Sequence, residues 1–160
     1  MPIVVNGILY GDGVGNLKAH QHANSQTLDA SLFNTVKTIG DVDALLDHST
    51  GGNDFINVRY MAPRTSLQSS LAIGDAFKIE DHAEGGNDTI KTGGYGSTAY
   101  GDAQIMTGHG RGGSDVLTDS SYIANVFGDA ERMDGHTRGA TTPSLLTTAA
   151  FSHYTAMPKR

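Results

Sequence analysis

Residues 74–100 read GDAFKIEDHAEGGNDTIKTGGYGSTAY, and residues 101–127 read GDAQIMTGHGRGGSDVLTDSSYIANVF. Laid over each other, they share Gly-Asp-Ala at the start, a histidine, a Gly-Gly-x-Asp turn and a closing aromatic, Tyr100 or Phe127. Residues 128–154, GDAERMDGHTRGATTPSLLTTAAFSHY, open the same way. An earlier copy from Gly40 begins GDVDALLDHSTGGNDFINV and runs seven residues longer before Gly74. The unit from Gly11 keeps only the opening pair. Gly11-Asp12, Gly40-Asp41, Gly74-Asp75, Gly101-Asp102 and Gly128-Asp129 thus open units of 29, 34, 27 and 27 residues, with 33 remaining. Self-similarity at a near-constant period is the signature of stacked repeats.

Apolar residues keep their places in this register. Leu45, Ile79, Met106 and Met133 share one column; Ile56, Ile90 and Leu117 share another; Ile73, Tyr100, Phe127 and Tyr154 form a third. Each lies in a short strand-like stretch bounded by glycine, where alternation sends one side chain inward and its neighbours outward. Two or three such strands per coil, stacked in parallel at roughly 4.8 Å, turn each column into an apolar ladder. The predicted fold is all-β: a parallel β-solenoid, β-roll or β-helix, of about 27-residue coils with terminal caps. Residues 1–160 read as one solenoid domain, with 1–39 a diverged N-terminal unit or cap, 40–139 the repeats and 140–160 a C-terminal cap. Helical patterns occur only near the ends: an apolar face of Leu28, Leu32, Phe33 and Val36, and the segment 144–157 after Pro143.

Composition narrows the partners. Twenty-one glycines without long polar tracts point to many tight turns. A net charge of −6, with no Lys/Arg cluster, disfavours nucleic acid. Without cysteine there are no disulfides and no thiolate metal sites. No stretch approaches the roughly 18 apolar residues that span a bilayer, and Met1 to Tyr10 lacks the basic segment of a secretory leader. The expected location is extracellular, reached without a cleaved N-terminal signal.

Stacking raises an electrostatic problem. One acidic column is Asp12, Asp41, Asp75, Asp102 and Asp129; a second, in the Gly-Gly-x-Asp turn, is Asp54, Asp88 and Asp115. Carboxylates about 5 Å apart repel by about 1 kcal/mol in water and by several times more at an effective dielectric near 20. Turn amides relieve this by donating hydrogen bonds. Cations do so by sharing the charge, and calcium takes six to eight carboxylate and carbonyl oxygens. Asp54, Asp88 and Asp115, with Asp41, Asp75, Asp102 and Asp129 and the turn glycines Gly52, Gly86 and Gly113, are the candidate metal residues. Asp81, Asp119 and Asp134 fall outside both columns and read as solvated.

Gly85-Gly86-Asn87-Asp88-Thr89-Ile90, Gly51-Gly52-Asn53-Asp54-Phe55-Ile56 and Gly112-Gly113-Ser114-Asp115-Val116-Leu117 resemble the hemolysin-type (RTX) calcium-binding repeat, G-G-x-G-x-D-x-U-x. Gly93-Gly94-Tyr95-Gly96-Ser97-Thr98-Ala99-Tyr100 keeps the glycines and the large apolar position but has Thr98 in place of the acid. The matching turns lie 34 and 27 residues apart, as in a degenerate branch of that family. The resemblance covers roughly residues 40–135 and implies a parallel β-roll with calcium between successive turns, secreted by a leaderless route.

His48, His82, His109 and His136 each follow the glycine of their Gly-Asp pair by eight residues. Stacked imidazoles at coil spacing suit zinc, nickel or copper, or carry a pH-dependent charge; duplication along with the repeat equally explains the register. His20, His22 and His153 fall outside that column. Enzyme motifs are missing: Gly11-Asp12-Gly13-Val14-Gly15-Asn16 lacks the third glycine of a dinucleotide turn, and there is no phosphate loop, H-E-x-x-H or G-x-S-x-G. The expected function is non-enzymatic calcium binding coupled to folding. Two alternatives stand beside it. One is a polysaccharide-binding or carbohydrate-active module using Tyr60, Tyr95, Tyr100 and Tyr122; the other is a self-associating structural or adhesive protein.

Overall fold

The computed structural model describes residues 1–30, 37–59, 69–140, 144–146 and 151–154, the last two segments through their backbone. After a first strand, β1 (Ile3–Val5), strands recur in threes. The first set is β2 (Ile8–Tyr10), β3 (Asn16–Leu17) and β4 (Thr27–Asp29); the second is β5 (Lys37–Ile39), β6 (Val42–Leu45) and β7 (Phe55–Arg59). Then come β8 (Ser69–Ile73), β9 (Ala76–Ile79) and β10 (Thr89–Gly93), followed by β11 (Gly96–Tyr100), β12 (Ala103–Met106) and β13 (Val116–Asp119). The chain continues through β14 (Ile123–Phe127), β15 (Ala130–Met133), β16 (Ser144–Leu146) and β17 (Phe151–Tyr154). Like members stack in parallel into three sheets: β2, β5, β8, β11, β14 and β17; β3, β6, β9, β12 and β15; and β4, β7, β10, β13 and β16. This is a parallel β-solenoid with three strands per coil. No helix among the described residues is long and apolar enough to cross a membrane.

The columns read from the sequence hold and lengthen. Leu17, Leu45, Ile79, Met106 and Met133 pair in order. So do Leu28, Ile56, Ile90 and Leu117, all with at most 2% of their surface exposed. These columns belong to separate buried clusters, the first joined by Ala76, Ala83 and Ala103, the second by Ala72, Ala99 and Val126. Burying one such aliphatic side chain contributes about 1.5–3 kcal/mol, and the stack repeats that gain in every coil.

The third column differs from expectation. Tyr10, Ile39, Ile73, Tyr100 and Phe127 pair in register, but they pack with Val5, Ile8, Leu71 and Phe77 in a cluster of their own. Ala72 and Ala99 precede Ile73 and Tyr100 in the same strands and face the interior, so alternation turns the third column to the outer face. It is an outside seam, closed by its own bulk. Tyr154 is not in it, because β17 sets Tyr154 opposite Val126, one residue out of step.

Where the described residues fall within the two expected helices, they form strand. Leu28 is a core residue of β4, while Leu32, Phe33 and Val36 lie outside the described residues. Within 144–157, β16 and β17 extend two sheets beneath β13 and β14. A waiting row of unpaired backbone groups outweighs the weak local preference for helix. At the other end β1 returns antiparallel on β2 through Asn6-Gly7, both at positive φ (51° and 77°). That is the geometry Asn-Gly favours in a two-residue hairpin.

Candidate metal centre

Each Gly-Asp pair forms the corner between the first and second sheets. A Cβ on Gly74 would overlap the carbonyl oxygen of Gly101 in the next coil as well as Asp88 Oδ2. Gly40 stands in the same relation to Gly74 and Asp54, and Gly101 to Gly128 and Asp115. Only glycine lets the backbones and carboxylates approach this closely. The Gly-Gly-x-Asp turn enters the third sheet and brings its aspartate to the same corner. Thus Asp41 meets Asp54, Asp75 meets Asp88, and Asp102 meets Asp115, always thirteen residues apart.

All six carboxylates are buried, with 0–3% of their surface exposed. Each uses one oxygen to accept a backbone N–H. Gly52 N donates to Asp41 Oδ2 (2.9 Å), Gly86 N to Asp75 Oδ1 (2.7 Å) and Gly113 N to Asp102 Oδ1 (2.5 Å). The predicted turn glycines are therefore at the site, holding it through their N–H groups. Between coils, Gln26 N donates to Asp54 Oδ1 (2.7 Å), Asp54 N to Asp88 Oδ1 (2.7 Å) and Asp88 N to Asp115 Oδ1 (2.9 Å). The remaining oxygens are another matter. Asp41 Oδ1 and the Oδ2 atoms of Asp54, Asp75, Asp88 and Asp102 are buried and have no hydrogen-bond donor among the described residues.

Burial first, and neighbouring carboxylates second, push Asp41 up to about 8. Burial likewise lifts Asp54 to about 7, and carries Asp75, Asp88 and Asp102 well above the ordinary carboxylate range. A donor-free carboxylate oxygen has two sources of relief: a proton on one acid of the pair, or a cation between them.

The columns end differently. Asp129 is less enclosed, accepts Ala140 N at 2.6 Å and is raised mainly by burial. Asp12 accepts Asn24 N (2.5 Å), Asn24 Nδ2 (3.0 Å) and Gln26 Nε2 (2.5 Å). Register places Gln26 where the next coil has Asp54, so the first coil pairs an acid with an amide. The unit from Gly11 is less diverged than its sequence suggests, since Gln26, Leu28 and Leu17 fill the same places as the repeats.

Other candidates sort clearly. Asp119, read as solvated, is buried, because it takes the inward place that Val58 holds in β7. It accepts Thr92 Oγ1 (2.5 Å), Ser121 N (2.8 Å), Ser121 Oγ (2.6 Å) and the Ser97 hydroxyl. Asp81 and Asp134 are exposed as expected. Tyr100 stacks on Phe127 at 5.1 Å and donates to Glu131 Oε2 (2.9 Å), so it presents no sugar platform. Tyr95 and Tyr122 are exposed but face each other at 6.0 Å, and Tyr60 lies outside the described residues.

The orphaned oxygens are carboxylate, hard and paired, which suits calcium. Among the described residues no group of three or more His, Cys, Asp or Glu side chains converges on one point. An ion at a pair would therefore draw its further ligands from backbone carbonyls and water, both usual for calcium. Comparison with protein-family models, curated proteins and solved structures gives no match for this chain.

Proposed function

We propose that this chain is a non-enzymatic calcium-binding β-solenoid whose folding is coupled to the ion. One observation carries the reading: in the pairs Asp41/Asp54 and Asp75/Asp88, and at Asp102, a buried carboxylate oxygen has no donor among the described residues. Asp41, Asp54, Asp75, Asp88, Asp102 and Asp115 would hold the ions, with glycine carbonyls of adjacent coils beside them. Calcium supplies the positive charge that lets coils close on ionised carboxylates. Such a protein is loose in calcium-poor cytosol and ordered in a calcium-rich extracellular medium.

Ions that bind only the folded chain stabilise it by about 2.7 kcal/mol per site at a hundredfold excess over Kd. The test is a pair of thermal melts followed by circular dichroism at pH 7.5, one in millimolar calcium and one in chelator. The expected result is a midpoint higher by 10 °C or more in calcium, on the rule of about 2–4 °C per kcal/mol for a chain this size. Identical melts would overturn the reading and leave the solenoid standing.

A further inference from the structure

The histidine column is longer and more regular than its sequence spacing suggests. His48, His82, His109 and His136 stack at centroid distances of 5.0, 4.7 and 5.0 Å with planes within 7° of parallel. His20, which sequence spacing leaves out, joins above His48 at 4.9 Å and 31°. The cause is in the backbone. The residue before each histidine (Ala19, Asp47, Asp81, Gly108, Gly135) has positive φ, from 54° to 83°. His82 N, His109 N and His136 N then donate to Asp47 O, Asp81 O and Gly108 O of the coil before. All five rings are exposed.

We infer that this imidazole column is a second metal-binding strip, taking a divalent transition ion between two neighbouring histidines. Neutral imidazole suits zinc, copper and nickel, whereas calcium prefers oxygen, so the strip and the aspartate corners select different ions. Two nitrogens bound to one tetrahedral zinc at 2.0–2.1 Å lie about 3.3 Å apart. Neighbouring rings at 4.7–5.0 Å reach that distance by turning out of the stack and leaning together by under about 1 Å each, a motion open to exposed side chains. Among the described residues no third side chain converges, so water completes the shell. Five rungs with each ring used once hold at most two ions: two disjoint neighbouring pairs and a ring left over.

That arithmetic is testable by zinc titration calorimetry in saturating calcium, with circular dichroism confirming the fold of each variant. The unaltered chain binds two zinc ions. His82→Gln still binds two, because His20/His48 and His109/His136 survive as neighbours. His48→Gln with His109→Gln leaves three of the five stacked histidines but no neighbours, and its zinc affinity falls tenfold or more. His22→Gln, altering an exposed histidine outside the stack, changes nothing. Zinc bound equally well by the double variant would assign it to carboxylates and overturn the inference, as would a folded chain that binds none. Each readout turns on histidine, so failure of the calcium reading would leave this test intact.

Discussion

Gln26 Nε2 donates to Asp12 Oδ1 at 2.5 Å, at the corner where every later complete coil sets one aspartate against another. The first coil thus carries its own solution to charge repulsion, a neutral amide in place of the second acid. Copying it inward tests what the acids are for. Asp88→Asn keeps an oxygen to accept Asp54 N and gives Asp75 a donor. In chelator the variant should be more stable by about 1–3 kcal/mol, the value of satisfying a buried acceptor. In calcium it should lose part of the ion-induced rise. Urea unfolding with and without calcium reads both, and a variant less stable in chelator would contradict the account.

The same pairs set a pH dependence. Asp41 and Asp54 rise to about 8 and about 7 in the folded chain from an ordinary value of 3.8, chiefly through burial. A raised folded value means that the native state holds protons more tightly. Its stabilisation is complete below about pH 4 and is lost as pH climbs through 7 and 8. Across that window each group removes about 1.4 kcal/mol per pH unit. Ion-free protein should therefore melt higher at pH 5 than at pH 8. On the proposed reading calcium competes with those protons, so its stabilisation should be larger at pH 8. Melts on a grid of pH and calcium check both signs.

Gly74 admits no side chain. A Cβ there overlaps the Gly101 carbonyl and Asp88 Oδ2, and backbone on one side leaves little room to yield. Gly74→Ala should destabilise by more than about 2 kcal/mol and weaken calcium binding at its corner. Gly96→Ala meets the Ser69 hydroxyl at 3.0 Å, a side chain able to turn away, and should be milder. Chemical denaturation of the two variants side by side decides.

Asp119 and Asp134 look alike in sequence and differ in place. Asp119→Ala removes the acceptor for Thr92, Ser97 and Ser121 inside the coil. If two hydroxyls are left without an acceptor, the loss is about 2–4 kcal/mol. Asp134 is exposed, and its carboxylate accepts Arg132 Nε at the surface. Asp134→Ala should change stability by less than about 0.5 kcal/mol. Equal effects in denaturant titrations would refute the distinction.

The repeat was legible because duplication kept the residues that geometry constrains: corner glycines, turn aspartates and one apolar place per strand. What duplication did not keep was harder to read. Gln26 and His20 belong to the columns by shape, but Gly11 to Gly40 has altered the markers around them. Asp119 gave no warning of burial, since its hydroxyl partners arrive from a different strand and the neighbouring coil. The outward turn of Ile73 and Tyr100 follows from alternation once Ala72 and Ala99 are taken as inward, and small alanines are weak hydrophobic markers. Asn6-Gly7 was a readable hairpin signal.

Strands of residues 74–100 and 101–127 pair place for place in all three sheets. Residues on either side of that span therefore meet its two ends in equivalent geometry. Excising residues 75–101 would join Gly74 to Asp102 without shifting any face, and the shortened rod should lose about 4.8 Å of length, one strand spacing. Small-angle scattering on the excised and full chains would measure it, and an unfolded product would refute the equivalence. Length here comes in whole steps, like the marks of a ruler, and a gene that slips by one unit changes reach without rebuilding the protein.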